Sequence, residues 1–171
     1  MKNANATLKA LIESHDYPVL LRSLLEILMK SQSLLERNKY LESNNIESIE
    51  ALKEPALEVV LDYAELYLLD GILSPVELHY MKMLQMYFHI EPEDYEKFGK
   101  MDHVKSIILK QLQVYYADNY IDDDEVMAKG DLQGLFGISY GDFDELAQIV
   151  ARLALERGAD TNDLDTIIVN K

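Results

Sequence analysis

Two short runs hold the residues best able to do chemistry. Asp70 and Glu77 stand seven apart in DGILSPVE, and Asp118 and Glu125 stand seven apart in DNYIDDDE, which adds Asp122, Asp123 and Asp124. Carboxylates at this density are hard oxygen donors, suited to Ca2+, Mg2+ or Mn2+ rather than to soft metals. Asp70, Glu77, Asp118, Asp122 and Glu125 are therefore candidate metal ligands. Asp122, Asp123 and Asp124 make the densest anionic point and are candidate contacts for a cationic partner. These runs are not EF-hand loops. With Gly71 at the sixth position, positions one and three fall on Leu66 and Leu68, which offer no oxygen, and Asn119 replaces the glycine in the second run.

A second chemistry competes for the same carboxylates. Ser74-Pro75-Val76-Glu77 reads as a capping box with proline at the first helical position, and Asp122 with Glu125 repeats the pattern. Ser139 with Asp142, and Glu91-Pro92 with Asp94, mark two further helix starts in the same way. Asp70 and Asp118 are different, because each falls at the C-terminal end of a helix. A negative charge there costs about 0.3–1 kcal/mol. An Asx-turn or a bound cation would offset that cost.

Other active constellations are missing. The chain has no cysteine, and His15, His79, His89 and His103 fit no HExxH or ExxH spacing. No GxxxxGK[ST], GxGxxG or GxSxG occurs, and nothing joins a nucleophile, a base and a phosphate or metal cradle. The expectation is a protein that is not an enzyme. Met81, Met83 and Met86 beside Tyr80 and Tyr87 read as core and rim of a helix pair.

The elements that must position the acidic runs are helices. Leu20, Leu21, Leu24, Leu25 and Leu28 make an apolar stripe, which Leu34 and Leu35 continue, so one helix is expected over 18–37. Asn3 to Glu13 reads as a shorter preceding helix, and Ser43-Asn44-Asn45 as a break. A fresh helix begins near Pro55 and runs to Asp70-Gly71. Strand signals are confined to Thr166–Val169 at the C-terminus, an extended tail that packs or frays.

Laid over each other at an offset of 48 (118 − 70), the stretches beginning at Asp70 and Asp118 match without gaps. Identities fall at Asp70/Asp118, Glu77/Glu125, Leu84/Leu132, Gln85/Gln133, Phe88/Phe136, Ile90/Ile138 and Asp94/Asp142. Seven matches in 29 positions exceed the roughly two that composition alone gives. A helix–acidic loop–helix unit is used twice, over about 57–98 and 104–146.

Charge narrows the partners. The chain carries a formal charge of −15. Residues 1–54 hold 8 acids and 7 bases, whereas residues 118–171 hold 13 acids and 4 bases, a net of −9. Phosphate neutralisation needs the opposite sign, so a nucleic-acid binder is not expected. Cations and basic proteins are the complementary partners. No apolar stretch approaches the ~20 residues a bilayer span requires, and no signal peptide is recognisable, so a cytoplasmic protein that does not insert into membranes is expected.

A helix ending in Asp-Gly, an acidic linker, a glutamate seven residues on and Phe-x-Ile before another helix resembles the tellurite-resistance TerB-like family. The residues concerned are Asp70, Gly71, Glu77, Leu84, Phe88 and Ile90, echoed by Asp118, Glu125, Leu132, Phe136 and Ile138, with Asn119 departing from the usual glycine. The resemblance covers about residues 55–157. It implies a non-catalytic cytoplasmic stress-response protein whose acidic residues bind divalent cations and contact membrane-associated partners.

The sequence thus predicts an all-α, compact multi-helix bundle of about seven to nine helices. Residues 1–54 form a helical extension, 55–157 the duplicated TerB-like domain and 158–171 a tail. The two acidic loops are expected near one another, binding a divalent cation or docking a protein partner without any required cofactor. The alternative is an acidic module of the immunity or inhibitor kind, which masks a basic surface without metal.

Overall fold

The computed structural model describes residues 4–68 and 74–165, except the Leu68 side chain. Among the described residues the chain is all-α, with nine α-helices and no strand. The expected helix stop at Asp70-Gly71 and the tail at Thr166–Val169 lie outside them. The described residues fall into two compact units, one within Met1–Tyr63 and His79–Glu91, the other within Ala64–Leu78 and Pro92–Lys171.

The first unit opens with α1 (Ala4–Ser14), α2 (Val19–Ser31) and α3 (Leu34–Ser43). Leu8 and Leu11 on α1, and Leu21, Leu24, Leu25 and Leu28 on α2, are buried as their spacing predicts. The stripe does not continue through 37. Gln32 turns left-handed (φ 52°) and its amide returns to the Leu28 carbonyl, closing α2. Ser33 then starts α3 by accepting from the Glu36 amide. This break rotates Leu34 and Leu35 into solvent and turns Arg37 and Leu41 inward. The buried Arg37 guanidinium donates to the Tyr87 carbonyl and lies 5.5 Å from the centre of that residue's ring. Burial pulls its pKa down, though the amount of charge it carries at neutral pH is unaffected.

A 3-10 turn, Ile49–Leu52, leads into α4 (Lys53–Leu68), with Pro55 in the first turn, where its missing amide costs nothing. The remaining helices are α5 (Pro75–Phe88), α6 (Pro92–Lys97), α7 (Met101–Tyr115), α8 (Asp123–Phe136) and α9 (Tyr140–Glu156). The duplication is written into these boundaries. The starts of α4, α5 and α6 at 53, 75 and 92 become, on adding 48, those of α7, α8 and α9 at 101, 123 and 140. Helices α5 and α8 are both 14 residues long.

Burial repeats at the same offset. On α4 the buried set includes Ala56, Val59, Val60, Tyr63, Ala64 and Tyr67; on α7 it is Val104, Ile107, Ile108, Gln111, Leu112 and Tyr115. Each α7 member is its α4 counterpart plus 48, so the repeat extends upstream of the acidic runs. Leu84/Leu132, Phe88/Phe136 and Ile90/Ile138 are buried in both copies, which accounts for their identity. The residues following α5 and α8, His89 (φ 55°) and Gly137 (φ 61°), both take the left-handed conformation that ends a helix. Some core positions depart in kind: Leu57 becomes Lys105, Tyr63 becomes the buried Gln111, and Met81 becomes Lys129. The Lys129 ammonium is buried, and donates to the Tyr116 hydroxyl at 3.3 Å and to Asp165 Oδ2 at 3.2 Å.

Candidate functional site

The acidic run of the second copy is built on the last turn of α7. Asp118 Oδ1 accepts from the Tyr120 amide at 3.1 Å, forming the Asx-turn, and Asn119 supplies the left-handed residue (φ 67°). The protein's own cation also reaches this helix end. Arg157 donates from Nη2 to the Tyr116 carbonyl at 2.7 Å and from Nε to Asn119 Oδ1 at 3.3 Å. A guanidinium on the terminal carbonyls offsets the unfavourable carboxylate beside them. The Ile121 amide then bonds the Asp163 carbonyl at 2.8 Å, tying the loop to the segment after α9.

Helix α8 starts with the expected capping box. Asp122 Oδ1 accepts from the Glu125 amide at 2.8 Å, and Glu125 Oε2 accepts from the Asp122 amide at 3.2 Å. Helix α5 starts identically, with the Glu77 amide on Ser74 Oγ at 3.4 Å and the Ser74 amide on Glu77 Oε2 at 2.7 Å. Glu77, Asp122 and Glu125 are therefore caps and Asp118 is a turn residue. Asp123 and Asp124 project into solvent from the first turn of α8, and Asp70 lies outside the described residues. Among the described residues, no group of three or more His, Asp or Glu side chains is arranged to hold a metal ion.

What the second unit does assemble is a cleft. The start of α5 (Ser74, Pro75, Leu78), the last residue of α7 (Tyr115) and the first turns of α8 (Asp122, Asp124, Glu125, Met127, Ala128, Asp131) line one cavity of about 480 Å³. That volume lies within the ~300–1,000 Å³ common for ligand pockets. Its walls divide by chemistry. Pro75, Leu78, Met127 and Ala128 give an apolar side, and four carboxylates give an anionic rim. The cleft places Ser74 and Pro75 of the first run with Asp122, Asp124 and Glu125 of the second, so its carboxylates all come from the second copy; Glu77, Asp118 and Asp123 do not line it.

The field inside the cleft is negative. Burial pushes the Glu125 carboxyl above the usual glutamate range, and the neighbouring Asp122 and Asp118 carboxylates push it further, against the pull of the Asp122 amide and Lys129. An acid whose pKa is raised by folding binds its proton more tightly when folded. The stability linked to that proton is complete below the unfolded glutamate value and is lost as pH rises through the folded one. Glu125→Gln keeps an oxygen for the Asp122 amide but removes the charge. The variant should melt above the parent at pH 7 and level with it below about pH 4; a parent that is the more stable at pH 7 would refute this field.

Tyr115 is the least expected wall residue. It is fully buried, yet its hydroxyl has no hydrogen-bond partner among the described residues. Burial raises its pKa, as do the Glu125 and Asp131 carboxylates. The signal in the sequence is a polar-tipped residue closing the helical stripe 104, 107, 108, 111, 112, 115, which is apolar but for Gln111, three positions before Asp118. Asp131 and Met127 carry no comparable signal, since each reads as an ordinary helix-surface residue.

A larger groove of about 730 Å³ lies along Lys129, Gln133, Tyr140, Phe143, Asp144 and Gln148. Its charged groups are already engaged: Lys129 as above, and Asp144 with the Gln148 amide at 2.9 Å. The acid-rimmed cleft, though smaller, carries four carboxylates and no lysine or arginine in its lining, so it has the stronger electrostatic claim on a cation. Outside both, Lys105 and Asp142 pair at 2.6 Å, and the lysine holds the Asp142 carboxyl below its usual range.

In comparison with known proteins, no family model, no curated protein and no solved structure matches the chain. Among the described residues no helix is long and apolar enough to cross a membrane.

Proposed function

We propose that this chain is a non-catalytic, TerB-like binding protein of the stress-response kind, which docks a basic partner at the start of α8. The observation that carries the reading is the cleft, where the starts of two repeat-equivalent helices meet with four carboxylates around an apolar wall. Such a surface attracts a cationic segment over distance and holds its apolar parts on contact. The duplicated helix–acidic loop–helix unit, with its helix starts repeating at 48, supports the TerB-like part of the reading. The same carboxylates are also the ones a divalent cation would use, and the test is arranged to separate the two ligands.

Asp123 and Asp124 sit in the first turn of α8 without serving as caps, so they can be reversed in charge without removing the capping box. A basic twelve-residue peptide of alternating lysine, arginine and leucine should bind the parent chain saturably at ~0.15 M salt, with affinity falling as salt rises. Asp123→Lys with Asp124→Lys should weaken it at least about tenfold, chiefly through slower association. Saturable binding of Ca2+, Mg2+ or Mn2+ under the same conditions, with no peptide binding, would replace this reading by the cation site.

A further inference from the structure

Tyr115 asks for a ligand more specific than charge alone would select. Its hydroxyl is buried and unpartnered among the described residues, an arrangement few native side chains keep. Two carboxylates, Glu125 and Asp131, act on that hydroxyl and line the same cleft. Glu125 uses only Oε2 for its cap. Between them these groups present acceptors on three side chains, with apolar surface from Pro75, Leu78 and Met127 beside them.

We propose that the cleft is a receptor for an alkylguanidinium, the side chain of an arginine carried by the docked partner. The inference rests on the docking reading above and adds the chemistry of the group that enters. A guanidinium has five N–H donors in a fixed plane, enough to serve two carboxylates and one hydroxyl oxygen together. An ammonium has three donors and is the more strongly hydrated, so it gives up more on entering. A divalent cation wants six or more oxygens, and no such set is arranged among the described residues. The methylene stem of arginine matches the apolar wall, as such stems do when the charged head is held elsewhere. Met127, exposed and unbranched, can shift to admit the group.

The test uses the full chain with n-butylguanidinium and n-butylammonium as probes, followed by isotope-edited NMR at ~0.15 M salt. Butylguanidinium should saturate, with shifts at Leu78, Tyr115, Glu125 and Met127, and should bind several-fold more tightly than butylammonium. Tyr115→Phe removes only the hydroxyl. It should weaken butylguanidinium about tenfold, the size expected of one hydrogen bond to a charged group. Its melting temperature should not fall, because the deleted hydroxyl had no partner. Unchanged affinity in Tyr115→Phe, or shifts that never saturate in the parent, would overturn the inference. If an all-lysine peptide still binds the acidic rim while butylguanidinium does not saturate, the arginine receptor is wrong and the docking reading stands. If no cationic probe binds, both fall.

Discussion

Replacing Gly137 by alanine should destabilise the protein by about 2–5 kcal/mol, the sum of a left-handed penalty and a steric one. Gly137 ends α8 at φ 61°, where an L side chain is strained. A Cβ built there would stand 2.1 Å from Pro92 Cβ and 3.3 Å from Pro92 Cα. Backbone and a rigid ring cannot yield as a flexible side chain does, so the start of α6 must move. The duplicated copy supplies the control. His89 holds the equivalent place at φ 55° with a half-exposed side chain. His89→Gly should therefore be neutral or stabilising by up to about 1 kcal/mol. Urea midpoints for both variants decide the matter, and a Gly137→Ala midpoint equal to the parent's would show that α6 does not pack there.

Phe136→Ala should cost about 3–5 kcal/mol, as full truncations of buried aromatic rings do. Phe136 is completely buried and meets the equally buried Tyr95 edge to face, with ring centres 5.5 Å apart and planes at 76°. It closes α8, the helix whose opposite end carries the acidic rim. A loss of this size is a large share of the ~5–15 kcal/mol available to a folded protein, and should lower Tm by roughly 10 °C. The Tyr95–Phe136 contact itself should account for about 0.5–1.5 kcal/mol, read from a cycle with Tyr95→Leu. A truncation costing under 1 kcal/mol would mean that the ring is not buried as described.

Much of this was legible in the sequence for identifiable reasons. Periodicity gave the helices because apolar residues at 3.6-residue spacing have no other economical use. The offset of 48 gave the duplication because Leu84/Leu132, Phe88/Phe136 and Ile90/Ile138 are core positions in both copies. Ser74 with Glu77 and Asp122 with Glu125 announced their capping boxes, since capping is local chemistry between residues three apart. The break at Gln32–Ser33 was missed because Leu34 and Leu35 continue the α2 stripe on paper. A serine cap and one left-handed residue suffice to reset the phase.

The site was harder to read because it is not local. Its acids were visible as a run, but Tyr115, Met127 and Asp131 belong to it only through the packing of α7 and α8. The partial burial that raises the Glu125 pKa is likewise a tertiary property. Sequence could therefore point to carboxylates and leave metal, cap and docking roles open. The structure assigns the caps and the Asx-turn and places an apolar wall beside the acids.

The measurement that bears most directly on the docking cleft is a methyl- and amide-resolved NMR titration of the intact chain with the basic peptide, repeated with Mg2+, Ca2+ and Mn2+. The account predicts saturable peptide shifts at Leu78 on α5 and, with the same midpoint, across Asp122–Asp131 on α8. Divalent cations should produce only diffuse shifts that scale with ionic strength. Saturable shifts from a divalent cation alone, or peptide shifts that never reach Leu78, would contradict it.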